Sequence, residues 1–260
     1  ITNSAWMIAA WTKLAFRRPS KRPDVVIIGT DPIFGVIVAI AFKLFARNVK
    51  LAHWCFDMHP EAAVVSGIFR ENSSLVRLSK YIMRLAYNSC DLIVDLGTCM
   101  RRRLRTYGHN ALEHELTPWA LIEPRSPVVP DINTRFELFG NAKVGLLYSG
   151  NFGEAHDFSH FIELARSLRG VPDVHFCFGV RGNRAELLKR AVTLEDTNIS
   201  FAGFTSLDKL EKRLGSADIH LVSLKDKWSG IAVPSKFFGS IASGRPVLYS
   251  GPRDSAIAKW

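Results

Sequence analysis

Cysteine is scarce in this sequence and never spaced as C-x-x-C: Cys55, Cys90, Cys99 and Cys177 stand far apart, and three of them sit inside or beside apolar runs. That weighs against zinc and fits buried, reduced thiols in a cytoplasmic protein. No other residues stand at metal-ligand spacing, so no metal is expected. Long apolar runs are missing as well. The nearest to one, Val25 to Phe45, is broken by Thr30-Asp31-Pro32, so it reads as a short strand, a turn and a buried helix. A membrane span needs about 20 uninterrupted apolar residues. Residues 1–16 run apolar and then basic, the reverse of a secretory signal. No short-period repeat or low-complexity tract is present.

Acidic residues are also in short supply, 24 against 34 Lys and Arg, which leaves a net charge of +10. Such an excess suits nucleic acid, an anionic membrane face, a phosphorylated substrate, or simply a solvated basic surface. Its densest parts are "RRPSKRP" (Arg17 to Pro23) and "RRRLR" (Arg101 to Arg105). Neither aromatic–basic interleaving nor a helix-turn-helix pattern accompanies them, which weighs against nucleic acid.

What the sequence does have is alternation. Strand-like runs are predicted at Val25–Gly29, Val49–Asp57, Asp91–Leu96, His114–Trp119, Val144–Gly150, Val174–Gly179, Ile199–Phe204, Ala217–Leu224 and Pro246–Gly251. Helical patterns such as Phe34–Ala46, Ser74–Asn88, Phe158–Leu168 and Ser235–Ser243 lie between most of them. Strands alternating with helices of this length predict α/β folding with parallel sheets covered on both faces. The alternation fails near residues 121–141, where three prolines cluster. A length of 260 residues is comfortable for two domains. The boundaries expected are a first domain over residues 1–124, a linker over 125–141 and a second domain over 142–260. Both halves read as incomplete, the first opening inside a helix-like segment and the second closing as a helix starts. An internal fragment is therefore expected.

Three loops at predicted strand ends carry the chemistry. In "LLYSGNFGEAHDF" (Leu146 to Phe158), Gly150 and Gly153 flank Asn151 and Phe152 between a strand and a helix. Glycine there lets backbone N–H groups approach an anion closely. "FGVRGNR" (Phe178 to Arg184) repeats the device with Arg181 and Arg184. "GIAVPSKFFGSIASGRPVL" (Gly230 to Leu248) places Ser235 and Lys236 at a helix start. The carboxyl ends of parallel strands converge on one edge, so the second domain is read as binding an anionic ligand such as a diphosphate. A tight turn with no ligand remains the alternative for any one loop. In the first domain, "FDMHPE" puts Asp57, His59 and Glu61 after a strand. Polar residues there suit a bound hydroxyl, or a loop in which Asp57 caps the next turn and His59 packs against Trp54. After the glycine turn, His156 is placed near the ligand, and Asp157 is equally read as a helix cap.

"LLYSGNFGEAHDF", "FAGFTSLDKLEKRLGSADIHLVSL" and "VPSKFFGSIASGRPVL" closely resemble the C-terminal domain of family 4 glycosyltransferases, with "HWCFDMHPEAA" similar to a stretch of their N-terminal domain. The nearest members in kind are bacterial enzymes of colanic-acid, O-antigen and exopolysaccharide assembly. The resemblance implies two Rossmann-like domains facing a cleft (the GT-B arrangement) and transfer of a sugar, with retained configuration, from a nucleotide diphosphate sugar. It implies no cofactor besides that donor. The acceptor would be a polyprenyl-diphosphate-linked sugar or a saccharide, with the protein peripheral on the inner face of the cytoplasmic membrane. Backbone amides of Gly150, Asn151 and Gly153, with Ser235, Lys236 and Arg181 or Arg184, would stabilise charge growing on the diphosphate. Asp57, His59 and His156 would serve the reacting sugar.

The sequence departs from this family at four places. Many members carry an arginine and a lysine where Asn151 and His156 stand, and two glutamates eight positions apart where Ile231 and Gly239 stand. The second glutamate commonly holds the donor ribose. A binding module without catalysis, or another GT-B enzyme such as a sugar-nucleotide epimerase, therefore remains open beside transfer.

Overall fold

The computed structural model describes residues 2–126 and 128–260, and the chain divides into two units, each with its own parallel sheet. The first holds the chain up to Thr117 together with Lys227–Val233 and Asp254–Trp260; the second holds Pro118–Asp226 and Pro234–Arg253.

In the first unit α1 (Thr2–Ala15) precedes β1 (Val25–Ile28), α2 (Val38–Phe45), β2 (Lys50–Trp54), α3 (Glu61–Val65), α4 (Ser74–Ser89), β3 (Leu92–Asp95), α5 (Thr98–Arg105) and β4 (Leu112–Glu115). The sheet order is β1-β2-β3-β4. Helix α4 starts where the Ser73 hydroxyl accepts from the Val76 amide at 3.3 Å, and it buries Val76, Met83, Ala86 and Tyr87 at helical spacing. Asp95, fully buried at the end of β3, accepts from the Gly97 amide at 2.9 Å and from Arg101 Nε at 2.7 Å. A buried carboxylate needs such partners, and this one draws Arg101 inward.

In the second unit α6 (Ile132–Phe139) leads into β5 (Val144–Asn151), α7 (Ser159–Ser167), β6 (Val174–Arg181), α8 (Ala185–Ala191), β7 (Ile199–Phe201), α9 (Leu207–Gly215), β8 (Ile219–Ser223), α10 (Lys236–Ala242) and β9 (Val247–Ser250), and α11 (Ala256–Lys259) returns to the first unit. The order is β7-β6-β5-β8-β9. The chain therefore winds outward from β5 in one direction and then resumes at β8 on its other side. Tyr148, Phe152, Phe161, Phe176, Phe178 and Leu188 form the core between sheet and helices.

These units are Rossmann-like α/β sheets, as the alternation predicts. Two elements differ from expectation. The proline-rich stretch contains α6: the Asp131 carboxylate caps it, accepting from the Thr134 amide at 2.9 Å, and Leu138 and Phe139 join Leu147 and Cys177 in a second core cluster. β4 falls on Leu112–Glu115 rather than His114–Trp119, because the charged L-E-H-E run is an edge strand with Leu112 exposed. All four cysteines are buried and free.

Candidate functional site

In open α/β sheets, ligands bind outside the carboxyl ends of strands, at the point where strand order reverses. In the second unit that point lies between β5 and β8. The two strands pair only at Leu146–Ile219 and Leu147–His220, then part. Into the gap comes the loop after β5. The His156 Nδ1 lies 2.8 Å from the Ser223 carbonyl, and the Asp157 amide donates to Ser223 Oγ at 3.3 Å.

Gly150, in β5, has φ +132°, a left-handed conformation that a side chain would strain. The turn beyond is tied to the loop after β6. The Phe152 amide donates to the Arg181 carbonyl at 2.6 Å, and the Arg184 amide to the Phe152 carbonyl at 3.3 Å. Gly182, at φ +121°, lies so close to Asn151 and the Phe152 carbonyl that a Cβ would collide with both. Phe152 itself is buried, edge-on to Tyr148 with centroids 5.3 Å apart. The Gly153 amide has no acceptor among the described residues. The helix does not follow at once. α7 begins at Ser159, and Asp157 closes the turn before it, accepting from the Ser159 amide at 2.9 Å and hydroxyl at 2.8 Å.

Lys236 opens α10 and is half-buried. Its Nζ lies 2.9 Å from His156 Nε2 and 5.0 Å from the centre of the Tyr148 ring. A Cβ on Gly150 would stand 3.5 Å from its Cε. Burial, with no carboxylate to offset it, brings its ammonium down from 10.5 to about 7. His156 is buried and held down at about 3 by burial first and then by the neighbouring Lys236 charge. The ring is therefore neutral at pH 7. A carbonyl can only accept, so Nδ1 donates to Ser223 and the Nε2 lone pair accepts from Lys236.

The two arginines behave differently. Arg184 pairs with Glu154 at 3.1 Å. Arg181 is exposed and stacks on the Phe204 ring, Cζ 4.1 Å from its centre, which leaves its N–H edges without a protein acceptor among the described residues. Ser235 is exposed and makes no side-chain cap bond to α10. A Cβ at Gly239 would stand 3.2 Å from Leu214 Cδ1, so that position faces α9. Ile231 is buried in the first unit, its carbonyl accepting from the Met58 amide at 2.8 Å. Neither position carries a ribose-binding acid.

Asp57 and His59 lie in the first unit. Thr30 Oγ1 accepts from the Phe56 amide at 2.7 Å and the Asp57 amide at 3.3 Å, and Asp57 bridges backbone to backbone with Ala232. The loop is thus held on both sides. The Asp57 carboxylate has no hydrogen-bond or ion partner among the described residues, so it caps no turn. The residue is exposed, yet its surroundings enclose the carboxyl enough to raise it. The His59 ring lies 6.2 Å from Phe34 rather than on Trp54, and burial lowers it. Both border a small recess shared with Thr30, Phe34 and His53. Phe34, with φ +65°, holds a left-handed conformation that costs a non-glycine residue about 1–3 kcal/mol and that clusters at binding sites.

The arginines of "RRRLR" are mostly engaged. Arg101 pairs with Asp95, Arg102 with Asp254 at 3.5 Å and Arg105 with Glu113 at 2.6 Å, while Arg103 Nε donates to the Ser229 carbonyl at 2.6 Å. Arg17, Arg18 and Lys21 are exposed beside the exposed Phe16. Among the described residues, no helix is long and apolar enough to cross a membrane, and no cluster of His, Cys, Asp or Glu could hold a metal ion.

Two parallel α/β units, one with a basic, glycine-lined switch point, define the fold class of GT-B proteins. The comparisons agree. The chain is similar to a probable glycosyltransferase, WbjE of Pseudomonas aeruginosa, at 26% identity over 254 residues, 92% of this chain and 60% of the relative. It is also similar to a putative colanic acid biosynthesis glycosyl transferase, WcaI of Escherichia coli K12, at 34% identity over 116 residues, 45% of this chain and 28% of that protein. It thus spans less than two thirds of either. Among solved structures, HepE of Anabaena in complex with UDP superposes with a TM-score of 0.61 over 94% of this chain and 63% of that one, at 14% identity, and so shares the fold. No protein-family model matches the sequence. The chain resembles bacterial colanic-acid and O-antigen glycosyltransferases.

Proposed function

We propose that the protein is a retaining glycosyltransferase that moves a sugar from a nucleotide diphosphate sugar to a lipid-linked or saccharide acceptor in cell-surface polysaccharide assembly. The observation that carries this reading is Lys236: an ammonium brought to the strand-order reversal, beside a glycine turn, with no carboxylate to balance it. A diphosphate supplies that balance. As the sugar leaves, charge grows on the β-phosphate, and a preorganised cation with the Gly153 amide and the Arg181 edge lowers the barrier. Asn151 and Gly150 shape the approach, Ser235 offers a hydroxyl at the same loop, and Arg184 fixes the turn through Glu154. The unpaired Asp57 carboxylate and neutral His59 are the groups we assign to a sugar or acceptor hydroxyl. The relatives named for colanic acid synthesis and for glycosyl transfer support the reaction class, and the shared fold of a UDP complex supports the donor class.

Exposed Arg17, Arg18 and Lys21 beside Phe16 support docking on an anionic membrane face on the cytoplasmic side, where a polyprenyl-linked acceptor would lie. The "RRRLR" run contributes less to this than its composition suggests, because protein partners take up its guanidinium groups. The lack of an acid at positions 231 and 239 favours a second reading, a module that binds the nucleotide sugar without transferring it. Incubating the intact protein with a panel of nucleotide sugars and lipid-linked acceptors separates the two: transfer with retained anomeric configuration supports the first, and donor binding without turnover supports the second.

A further inference from the structure

We propose that His156 is a positioning residue for Lys236 and that binding of a nucleotide diphosphate sugar at this pair draws in a proton. This rests on the donor-binding reading above and adds to it. Lys236 comes from another loop, and its amine reaches the His156 ring by a contact of 2.9 Å. The imidazole supplies no charge, because burial and the adjacent Lys236 keep it neutral, and its Nδ1–H goes to the Ser223 carbonyl. It can only accept, and its Nε2 fixes where the Lys236 amine stands.

The surroundings decide the protonation. From β5, Lys236 faces the ring of Tyr148 and the backbone of Gly150. From the loop it faces His156. Lys225, two residues past β8, adds a positive charge that acts on the His156 ring. The nearby acids are occupied elsewhere, Glu154 by Arg184 and Asp157 by the Ser159 amide and hydroxyl. No anion among the described residues balances Lys236, so near neutral pH the empty site holds a mixture of amine and ammonium. A diphosphate favours the ammonium. The mixture then converts to the charged form, one proton entering from solvent for each amine converted.

The test is isothermal titration of the intact protein between pH 6 and 9, in buffers of unlike ionisation enthalpy. UDP-glucose, GDP-mannose and ADP-glucose serve as probes because their diphosphates keep a fixed charge over this range. Proton uptake should appear near pH 7 to 8, and affinity should weaken by up to about tenfold per pH unit above 7. Lys236→Arg, permanently charged, should bind with no uptake and a flat profile. His156→Phe keeps the ring packing but loses the acceptor and should move the midpoint to lower pH, while His156→Gln, which can still accept, should move it less. Binding by the wild type without proton uptake and flat with pH overturns the inference while leaving the donor reading intact. An unmoved midpoint in His156→Phe also overturns the positioning role. No binding of any probe overturns the donor reading and this inference together.

Discussion

Lys236→Met separates stability from function in one substitution. Methionine keeps the length and apolar stem that lie over Tyr148 and Gly150 but removes the charge. Holding an ammonium at about 7 rather than 10.5 corresponds at most to about 5 kcal/mol of disfavoured charge. The side chain keeps some contact with water, so a gain of about 1–3 kcal/mol in the ligand-free fold is expected. The sign has a pH signature. The folded-state value is depressed, so the wild-type penalty is full below about 7 and fades as pH rises toward 10.5. Urea denaturation of wild type and Lys236→Met at pH 6, 8 and 10 should show the largest gain at pH 6 and little at pH 10. Nucleotide-sugar affinity should fall at least tenfold in the same variant. A loss of stability at pH 6, or a gain that does not change with pH, would mean instead that the amine is well compensated where it stands.

Gly182→Ala should cost about 2 kcal/mol in denaturant unfolding, since it combines a left-handed φ with collision against the Phe152 carbonyl. Asp57→Asn should lower turnover by about a hundredfold with donor affinity unchanged if it holds the acceptor, read by kcat against titration; a parallel loss of donor affinity would move Asp57 from the acceptor to the donor sugar. His156 contributes stability that is full above 6.5 and lost as pH falls toward about 3, so His156→Phe should flatten the acid limb of the thermal unfolding curve over that window. Reversing Arg17, Arg18 and Lys21 to Glu should abolish co-sedimentation with anionic vesicles at low salt, whereas Arg102→Glu should change it little; equal effects would return the lipid contact to α5.

The fold was legible because apolar runs such as Val144–Tyr148 and Val174–Phe178 are bounded by glycine and charged residues, and the helices between them bury one face. α6 was hidden by the prolines at 124 and 130, which precede its cap and so mark its approach rather than its absence. β4 carries too much charge to resemble a strand by pattern alone. At the site, the glycine turn was legible from local chemistry. The pairing of Lys236 with His156 was not, because 80 residues separate them and only the parting of β5 and β8 brings them together. Arg181 and Arg184 looked equivalent in sequence; Glu154, part of the same turn, distinguishes them by taking Arg184. His156 looked like a group facing ligand, whereas both its ring nitrogens have protein partners, the Ser223 carbonyl and Lys236 Nζ, which nothing in the sequence signals.

The central claim is that Lys236 and the Gly150–Gly153 turn receive the diphosphate of a sugar donor. Its most direct test is a crystal structure of the intact protein soaked with the tightest-binding nucleotide sugar of the panel. A phosphate oxygen is expected within hydrogen-bond reach of both Lys236 Nζ and the Gly153 amide, with the His156–Lys236 contact retained. A nucleotide bound elsewhere, with Lys236 still facing only His156 and Tyr148, would contradict it.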